Sequence, residues 1–224
     1  MMKLQRHFKD LGIGGIVAHW YDNNTRKNRL EEMKEYTKEA AKYLHDGSSV
    51  LEVAPGPGYL TIELAKLGKC NKIIGLDISK DFVKIAQRNA KEAGVLGVVE
   101  FRRGNVSDIP FPDNAFDFII CTAAFKNFKE PFKALSQMYR VLKSGGTALI
   151  IDMNRNVSNQ QIEDFIGNTE VNGKDKLFMK LIFKHFLRNG AYNKDELINL
   201  ISKTAFKQYD IKEEGIGFYI YLTK

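Results

Sequence analysis

The 224-residue sequence predicts an α/β fold built on a doubly wound, seven-stranded and mostly parallel sheet. Three observations predict it. Between residues 48 and 153 short apolar runs alternate with longer amphipathic stretches, which is typical of parallel βαβ units. The runs IIGL and FII are nearly continuous, as strands buried on both faces should be. After residue 205 two further strands predict a C-terminal antiparallel hairpin.

The predicted elements follow one another through this central region. The parallel strands are predicted at residues 50–54, 72–77, 98–102, 116–121 and 147–152. The helices between them are predicted at 59–67, from the N-cap Ser79 to about 93, and at 131–142, before a closing turn at 143–146. Outside the centre, helices are predicted at 25–44 and, after a capping box that begins at Asn193, to about 204. The hairpin turns at residues 214 and 215.

The segments group into one domain with four parts. Residues 1–46 are a helical N-terminal segment, 47–153 the core, 154–192 a cap insertion, and 193–224 a helix with the edge hairpin. The cap has no strand pattern and is long for a plain connection. Within it, residues 174–188 show apolar positions at helical spacing, so we expect an amphipathic helix whose apolar face covers the site and whose basic face points outward.

Composition narrows the class of protein. With 44% hydrophobic and 27% charged residues the chain is an ordinary globular protein, and no apolar run reaches the roughly 20 residues of a bilayer span. Two cysteines without metal spacing predict neither a disulfide framework nor a metal site, and a cytoplasmic location is expected. The net charge of +7 permits a nucleic-acid partner, but the lysines are scattered, so a solvated surface is favoured.

The first strand ends in a glycine loop. Gly56 and Gly58 allow the backbone to turn sharply and to approach a ligand closely. A dinucleotide fingerprint would place a third glycine where Thr61 stands, and the strand before the loop carries Glu52. A carboxylate there suits a cationic ligand better than a pyrophosphate.

The next two strands complete a ligand site at the same sheet edge. Asp77 ends the second strand about 20 residues beyond the loop, where a carboxylate can accept both hydroxyls of a ribose. Residues 104–108 follow the third strand and can bracket an adenine ring. Adenosine with a cationic, phosphate-free tail describes S-adenosylmethionine (SAM).

With these motifs the sequence resembles the class I SAM-dependent methyltransferases, whose Rossmann-like core matches the predicted fold. The run DIPFPDNAFD at 108–117 and the run MYRVLKSGG at 138–146 are similar to LPFPDNSFD and MYRVLKPGG of the ubiquinone/menaquinone C-methyltransferase branch. The resemblance covers about residues 50–153 and is weakly specific for substrate.

The resemblance implies a set of residues that hold SAM and its product S-adenosylhomocysteine (SAH). They are Tyr21, Glu52, Ala54, Gly56, Pro57, Gly58, Asp77, Ile78, Asn105, Val106 and Thr122. Two of them depart from the branch: Asn105 stands where an Asp is usual, and Pro57 replaces a small polar residue.

The catalytic residue is not evident in the sequence. Weak candidates are His19, Tyr21 and His185, and helix packing explains each of them as well. Cys121 lacks the preceding proline of cytosine C5-methyltransferases, so a small buried thiol is favoured. Lys126, beyond the fourth strand, is expected to be a solvated loop lysine.

The expected function is transfer of the sulfonium methyl group by in-line attack of a small, partly apolar acceptor. Proximity and orientation supply most of the acceleration in such a step, so no protein nucleophile is required. The alternatives are an RNA or protein methyltransferase, a non-enzymatic SAM-fold binding subunit and, disfavoured by Glu52 and Thr61, a nicotinamide dehydrogenase.

Overall fold

The computed structural model describes residues 15–167 and 173–224, and a seven-stranded sheet runs through its centre. The strands are β1 (Ser48–Val53), β2 (Cys70–Asp77), β3 (Val99–Arg103), β4 (Phe116–Thr122), β5 (Leu142–Met153), β6 (Gln208–Glu214) and β7 (Gly217–Thr223). Their order is β3-β2-β1-β4-β5-β7-β6, with β1 to β5 parallel and β7 antiparallel to both of its neighbours. The predicted sheet and hairpin are confirmed.

Seven longer helices surround the sheet in the described part of the chain. They are α1 (Gly15–Ala40), α2 (Tyr59–Lys66), α3 (Lys80–Glu92), α4 (Pro131–Val141), α5 (Asn159–Gly167), α6 (Gly173–Ile182) and α7 (Lys194–Ile201). A π-helical turn (Phe183–Leu187) and a helical turn (Arg188–Gly190) continue α6. Single 3-10 turns lie at Ala41–Tyr43, Val106–Asp108 and Phe125–Asn127.

Alternation along the strands divides the core into two layers. Val50 and Phe118 point to one face, where α1, α2 and α3 cover them, whereas Leu51 and Ile119 point to the other face, against α4 and α7. Both layers are buried, which explains why β2 and β4 read as nearly continuous apolar runs. The chain leaves β1 toward β2 on one side, and β4 and β5 lie on the other, so the order reverses between β1 and β4.

Helix termini follow the predicted chemistry. The Ser79 hydroxyl accepts a hydrogen bond from the Phe82 backbone N–H at 3.2 Å and caps α3. Asn193 and Glu196 form the reciprocal capping box of α7. These local signals depend on adjacent residues only, and both predictions are confirmed.

Two boundaries differ from the prediction. Helix α1 begins at Gly15 rather than near residue 25, because the Gly15 backbone N–H bonds to the Asp81 carboxylate at 2.6 Å and Ala18 packs on α3. Residues 142–146 belong to β5 rather than to a closing turn. There the Gly145 N–H donates to the Lys224 carbonyl at 2.8 Å, so the end of β7 extends this strand.

The cap lies beyond the end of β5. Its small core contains Met153, Val157, Ile162, Ile166 and Ala191, with Phe165, Met179, Phe183 and Leu187 packed against it. Within residues 15–167 and 173–224, no helix combines the length and the apolar character needed to cross a bilayer.

Candidate functional site

The two glycines of the first loop have different tasks. Gly56 has φ +56°, and a Cβ added to it would meet no atom within 4 Å, so the loop faces open space there. Gly58 has φ +81°, and a Cβ would lie 2.6 Å from the Phe101 ring and 2.9 Å from Ala86. The ligand role of Gly56 stays a prediction, with which the open space is consistent. Gly58, in contrast, is required by the close packing of helix against strand.

Left-handed alanines follow both strands at the switch point. Ala54 after β1 and Ala123 after β4 have φ +56°. The Ala54 N–H donates to the Leu76 carbonyl at 2.8 Å, and the Ala123 N–H donates to the Ile151 carbonyl at 2.7 Å. Such backbone conformations are costly for alanine and cluster at binding sites, and here they turn the chain away from the sheet on both sides of one crevice.

Glu52 lies under the glycine loop. Its side chain is fully buried and accepts a hydrogen bond from the Thr61 hydroxyl on α2. Burial raises the pKa of Glu52 to about 7. A cationic group nearby would favour the ionised form, so the carboxyl group suits a positively charged ligand.

Asp77 organises the loop from the end of β2. One carboxylate oxygen accepts from the Gly56 N–H at 3.0 Å and the other from the Ser79 N–H at 2.8 Å. Burial raises the pKa of Asp77 above its usual value. Each oxygen has a second lone pair, so the carboxylate can hold the loop and accept from a ligand at once. The next residue, Ile78, is half-buried.

The turn after β3 provides a third wall. The Asn105 side-chain oxygen accepts from the Ser107 N–H at 2.9 Å, and Val106 is buried in the core. The Ser107 hydroxyl oxygen is buried with no hydrogen-bond partner among the described residues. An unpartnered buried hydroxyl costs free energy, so a polar ligand edge bound here would satisfy it.

The end of β4 carries a buried ion pair. Lys126 is 5% exposed, and its ammonium group donates to Asp152 at 2.7 Å and to the Ala123 carbonyl at 2.7 Å. The second Asp152 oxygen accepts from the Lys126 backbone N–H at 2.8 Å. The prediction of a solvated lysine is wrong, because Lys126 is buried and links the loop after β4 to Asp152 at the end of β5. The pair was not predicted, although an Asp within the apolar run ALIIDM is a signal for it.

Neighbouring side chains complete this wall. Thr122 is buried at the end of β4, and burial holds the pKa of the Cys121 thiol well above its usual value. A protonated, enclosed thiol agrees with the structural role expected for Cys121. The Phe125 ring lies 5.6 Å from the ring of Tyr192, which joins the cap to the site.

The N-terminal candidates lie within α1 rather than before it. The exposed His19 side chain makes a 3.1 Å contact with the Gly15 carbonyl on its own helix. Asp22 is buried and accepts a hydrogen bond from the Tyr59 hydroxyl. The side chains of Tyr21 and His185 fall outside the described part of the structure, so both remain predictions.

The basic side of the cap is partly turned toward α5. Lys184 bonds to Glu163 at 2.5 Å, and the Lys176 ammonium donates to the Gly167 carbonyl at 3.0 Å. The expectation of a wholly outward basic face is therefore wrong. On the same helix the apolar side chains of Leu177 and Leu181 are exposed. A groove of about 240 Å³ lies beside Leu177, and its lining includes no residue of the glycine loop.

A comparison with protein families identifies the central segment. Residues 51–150 match the family model of a methyltransferase domain. This segment is a class I SAM-dependent methyltransferase domain. The match starts in β1 and ends in β5, so it spans the glycine loop, Asp77 and Asn105 described above.

The relatives of the methyltransferase domain include C-methyltransferases. The ubiquinone/menaquinone biosynthesis C-methyltransferases UbiE of Escherichia fergusonii and of Escherichia coli K12 are each 37% identical over 110 residues. These alignments cover 49% of this chain and 44% of each relative, so the chain matches less than half of their length. The predicted similarity to this branch is confirmed for the central block.

Solved structures share the fold over a longer stretch. A protein of Methanococcus maripaludis described as a SAM-dependent methyltransferase has a TM-score of 0.73 at 23% identity, over 93% of this chain and 92% of that one. A SAM-dependent methyltransferase of Aquifex aeolicus has a TM-score of 0.64 at 21% identity, over 86% and 97%. The [4+2]-cyclase SpnF has a TM-score of 0.62 at 21% identity, over 81% and 60%.

The cofactor of the methyltransferase domain is SAM, and the residues present fit it. Gly56 faces open space, Asp77 keeps lone pairs for a ribose, and the Ser107 hydroxyl lacks a partner in the described structure. Among residues 15–167 and 173–224, no group of three histidine, cysteine or acidic side chains is arranged to hold a metal ion.

Proposed function

We propose that the protein transfers the methyl group of SAM to a small, partly apolar acceptor. The observation that carries the proposal is the reversal of the strand order between β1 and β4, which places the glycine loop after β1 at the same sheet edge as the Lys126–Asp152 pair after β4. When bound, SAM supplies an electrophilic methyl group on a sulfonium centre. The chain's own residues bind and orient the two reactants, and such positioning supplies up to about 7–11 kcal/mol of the activation free energy.

The proposed cofactor residues fall on four loops at one sheet edge. Glu52 lies below a cationic tail, and Asp77 accepts from the ribose while it holds the Gly56 N–H. Val106 and Ile78 supply apolar surface for the adenine ring, and Thr122 closes the site from β4. Ala54, Pro57, Gly58 and Asn105 shape the loops, whereas Tyr21 stays a proposed cover from α1.

The acceptor side is proposed to lie under the cap. Phe125 and Tyr192 offer aromatic surface where the cap meets the end of β4, and Met153 connects β5 to the cap core. The UbiE relatives are named for ubiquinone and menaquinone biosynthesis, which agrees with a flat and partly apolar acceptor. Both cysteines are buried free thiols, which supports the proposed cytoplasmic location.

The proposal is tested by methyl transfer from labelled SAM to separate pools of metabolites, tRNA and proteins. We expect label in the metabolite pool, and none with Asp77→Ala. This substitution removes the hydrogen bonds from the Gly56 and Ser79 N–H groups and the proposed bonds to the ribose. Label in tRNA or protein would support the macromolecular alternative. Binding of SAH without transfer to any pool would favour a binding subunit.

A second experiment separates a small acceptor from RNA. Lys176, Lys180 and Lys184 are replaced together by Gln. If the acceptor is small, we expect turnover within about twofold of wild type and little dependence on salt. The reason is that these lysines contact Glu163 and Gly167 of α5. Loss of activity together with a steep salt dependence would indicate a polyanionic substrate.

A further inference from the structure

Two carboxylates of helix α1 each accept a hydrogen bond from a tyrosine hydroxyl elsewhere in the domain. Asp22 near its start accepts a hydrogen bond from the Tyr59 hydroxyl on α2, and Glu39 near its end accepts one from the Tyr221 hydroxyl on β7 at 2.9 Å. Their surroundings differ. Asp22 is 2% exposed and lies among further polar groups, whereas the Glu39 side chain is 19% exposed and pairs with Lys42 on the helix surface.

Asp22 has partners on two other helices. Besides Tyr59, its carboxylate accepts from the Arg88 guanidinium at 2.5 Å and from the Asn89 amide at 3.4 Å, both on α3. Burying a carboxylate is costly unless hydrogen bonds compensate for the lost water, and these donors supply that compensation. Asp22 therefore fixes α1 to α2 and α3 together.

Asn89 extends this network to the glycine loop. It is 2% exposed, and its amide group donates to the Pro57 carbonyl at 3.0 Å as well as to Asp22. Pro57 stands between the two glycines, and Gly56 in turn donates its N–H to Asp77. A continuous chain of contacts thus runs from α1 through Asn89 to the loop that faces the ligand.

We infer that Asp22 is a positioning residue for cofactor binding, which acts through Asn89 on the Pro57 carbonyl. The inference rests on the proposed function. In this arrangement the docking of α1 and the binding of SAM or SAH stabilise each other, because both require the same position of the loop. Asp22 does not need to touch the cofactor, since protein donors already engage its carboxylate.

Calorimetric titration with SAH tests the inference, and Glu39→Gln is the matched control for Asp22→Asn. Each variant removes the charge of one α1 carboxylate that accepts from a tyrosine hydroxyl. We expect Asp22→Asn to raise the Kd for SAH about tenfold, which corresponds to about 1.4 kcal/mol. Glu39→Gln should leave that Kd within about twofold. Titrations are made well below each variant's Tm, so that all proteins are folded.

A double-mutant cycle separates an indirect effect from a direct contact. Asn89→Ala breaks the bridge to Pro57, so Asp22→Asn should add no further loss of SAH affinity on the Asn89→Ala background. If Asp22→Asn does not fold, Asn89→Ala alone should still raise the Kd about tenfold, whereas an unchanged Kd refutes the bridge.

Four outcomes contradict the inference and can be told apart. Equal effects of Asp22→Asn and Glu39→Gln would mean that SAH binding follows α1 docking in general. Additive effects of Asp22→Asn and Asn89→Ala would mean that Asp22 contacts the cofactor itself. A wild-type protein that binds no SAH would overturn the proposed function and this inference with it, whereas normal SAH binding by Asp22→Asn would overturn the inference alone.

Discussion

Asp152→Asn should destabilise the fold strongly, because it leaves the Lys126 ammonium group buried without its counter-charge. The two side chains are 6% and 7% exposed and lie 2.7 Å apart. Removing one partner of such a pair typically costs about 3–5 kcal/mol. After the substitution the ammonium group keeps the Ala123 carbonyl at 2.7 Å and can keep the amide oxygen of the new side chain, but both acceptors are neutral.

The expected loss is a large part of the total stability. The free energy of unfolding of a globular protein is about 5–15 kcal/mol. At this chain length, a loss of 1 kcal/mol lowers the Tm by about 2–4 °C. We therefore expect Asp152→Asn to lower the Tm by roughly 6–20 °C. Urea unfolding followed by circular dichroism gives the free energy of unfolding directly.

Two further variants calibrate the measurement. Lys126→Met should cost less, because Asp152 keeps backbone donors from residue 126 at 2.8 Å and from Met153 at 2.7 Å. Lys143→Gln is the exposed control. Its ammonium group pairs with Asp117 but is 43% exposed, so the loss should stay within about 1 kcal/mol. A loss below about 1 kcal/mol for Asp152→Asn, or additivity with Lys126→Met, would refute the reasoning.

Three other perturbations follow from the site. Burial raises the pKa of Glu52 to about 7, so the protonated side chain contributes its full stability below the unfolded pKa near 4.5. This contribution, roughly 3 kcal/mol in the free energy of unfolding, is lost as the pH rises from 4.5 to 8. In urea unfolding the Glu52→Gln variant should not show this loss. Gly56→Ala should remain folded but bind SAH weakly in calorimetric titration. Gly58→Ala should lose about 2 kcal/mol or more of the free energy of unfolding, because the added Cβ would collide with Phe101. Similar stability of the two variants would contradict this difference. Phe183→Ala should raise the acceptor KM and leave the SAH Kd unchanged, because this ring packs 5.6 Å from Phe165 in the cap core; the reverse result would separate the cap from the acceptor.

The central sheet was predictable because its determinants are local. The strands β2, β4 and β5 carry the apolar runs IIGL, FIIC and ALII. Ser79 and Asn193 cap helices through bonds to residues three positions ahead. The positions of the glycine loop and of Asp77 at one sheet edge then follow from the rule that parallel strands end on the same side.

The parts that the sequence did not predict depend on distant partners. Lys126 reads as a loop lysine until β5 brings Asp152 beside it, 26 positions along the chain. Likewise, α1 begins earlier than its apolar pattern indicates because the Asp81 carboxylate, 66 positions away, binds the Gly15 N–H. Contacts of this kind are set by the sheet order and cannot be read from residue spacing.

The position of β7 between β5 and β6 has a consequence for synthesis of the chain. One edge of β5, along the buried residues Ala148, Leu149 and Ile150, pairs with β7 (Gly217–Thr223). This edge stays unpaired until β7 has been synthesised. That strand begins 64 residues after Met153, so at about 5–20 residues per second the ribosome needs roughly 3–13 s to supply it. During this interval an apolar strand edge of the nascent chain lacks its permanent neighbour, and unpaired edges of this kind are sites of aggregation. This exposure therefore falls after the loops that follow β1 to β4 have been made and before β7 is made.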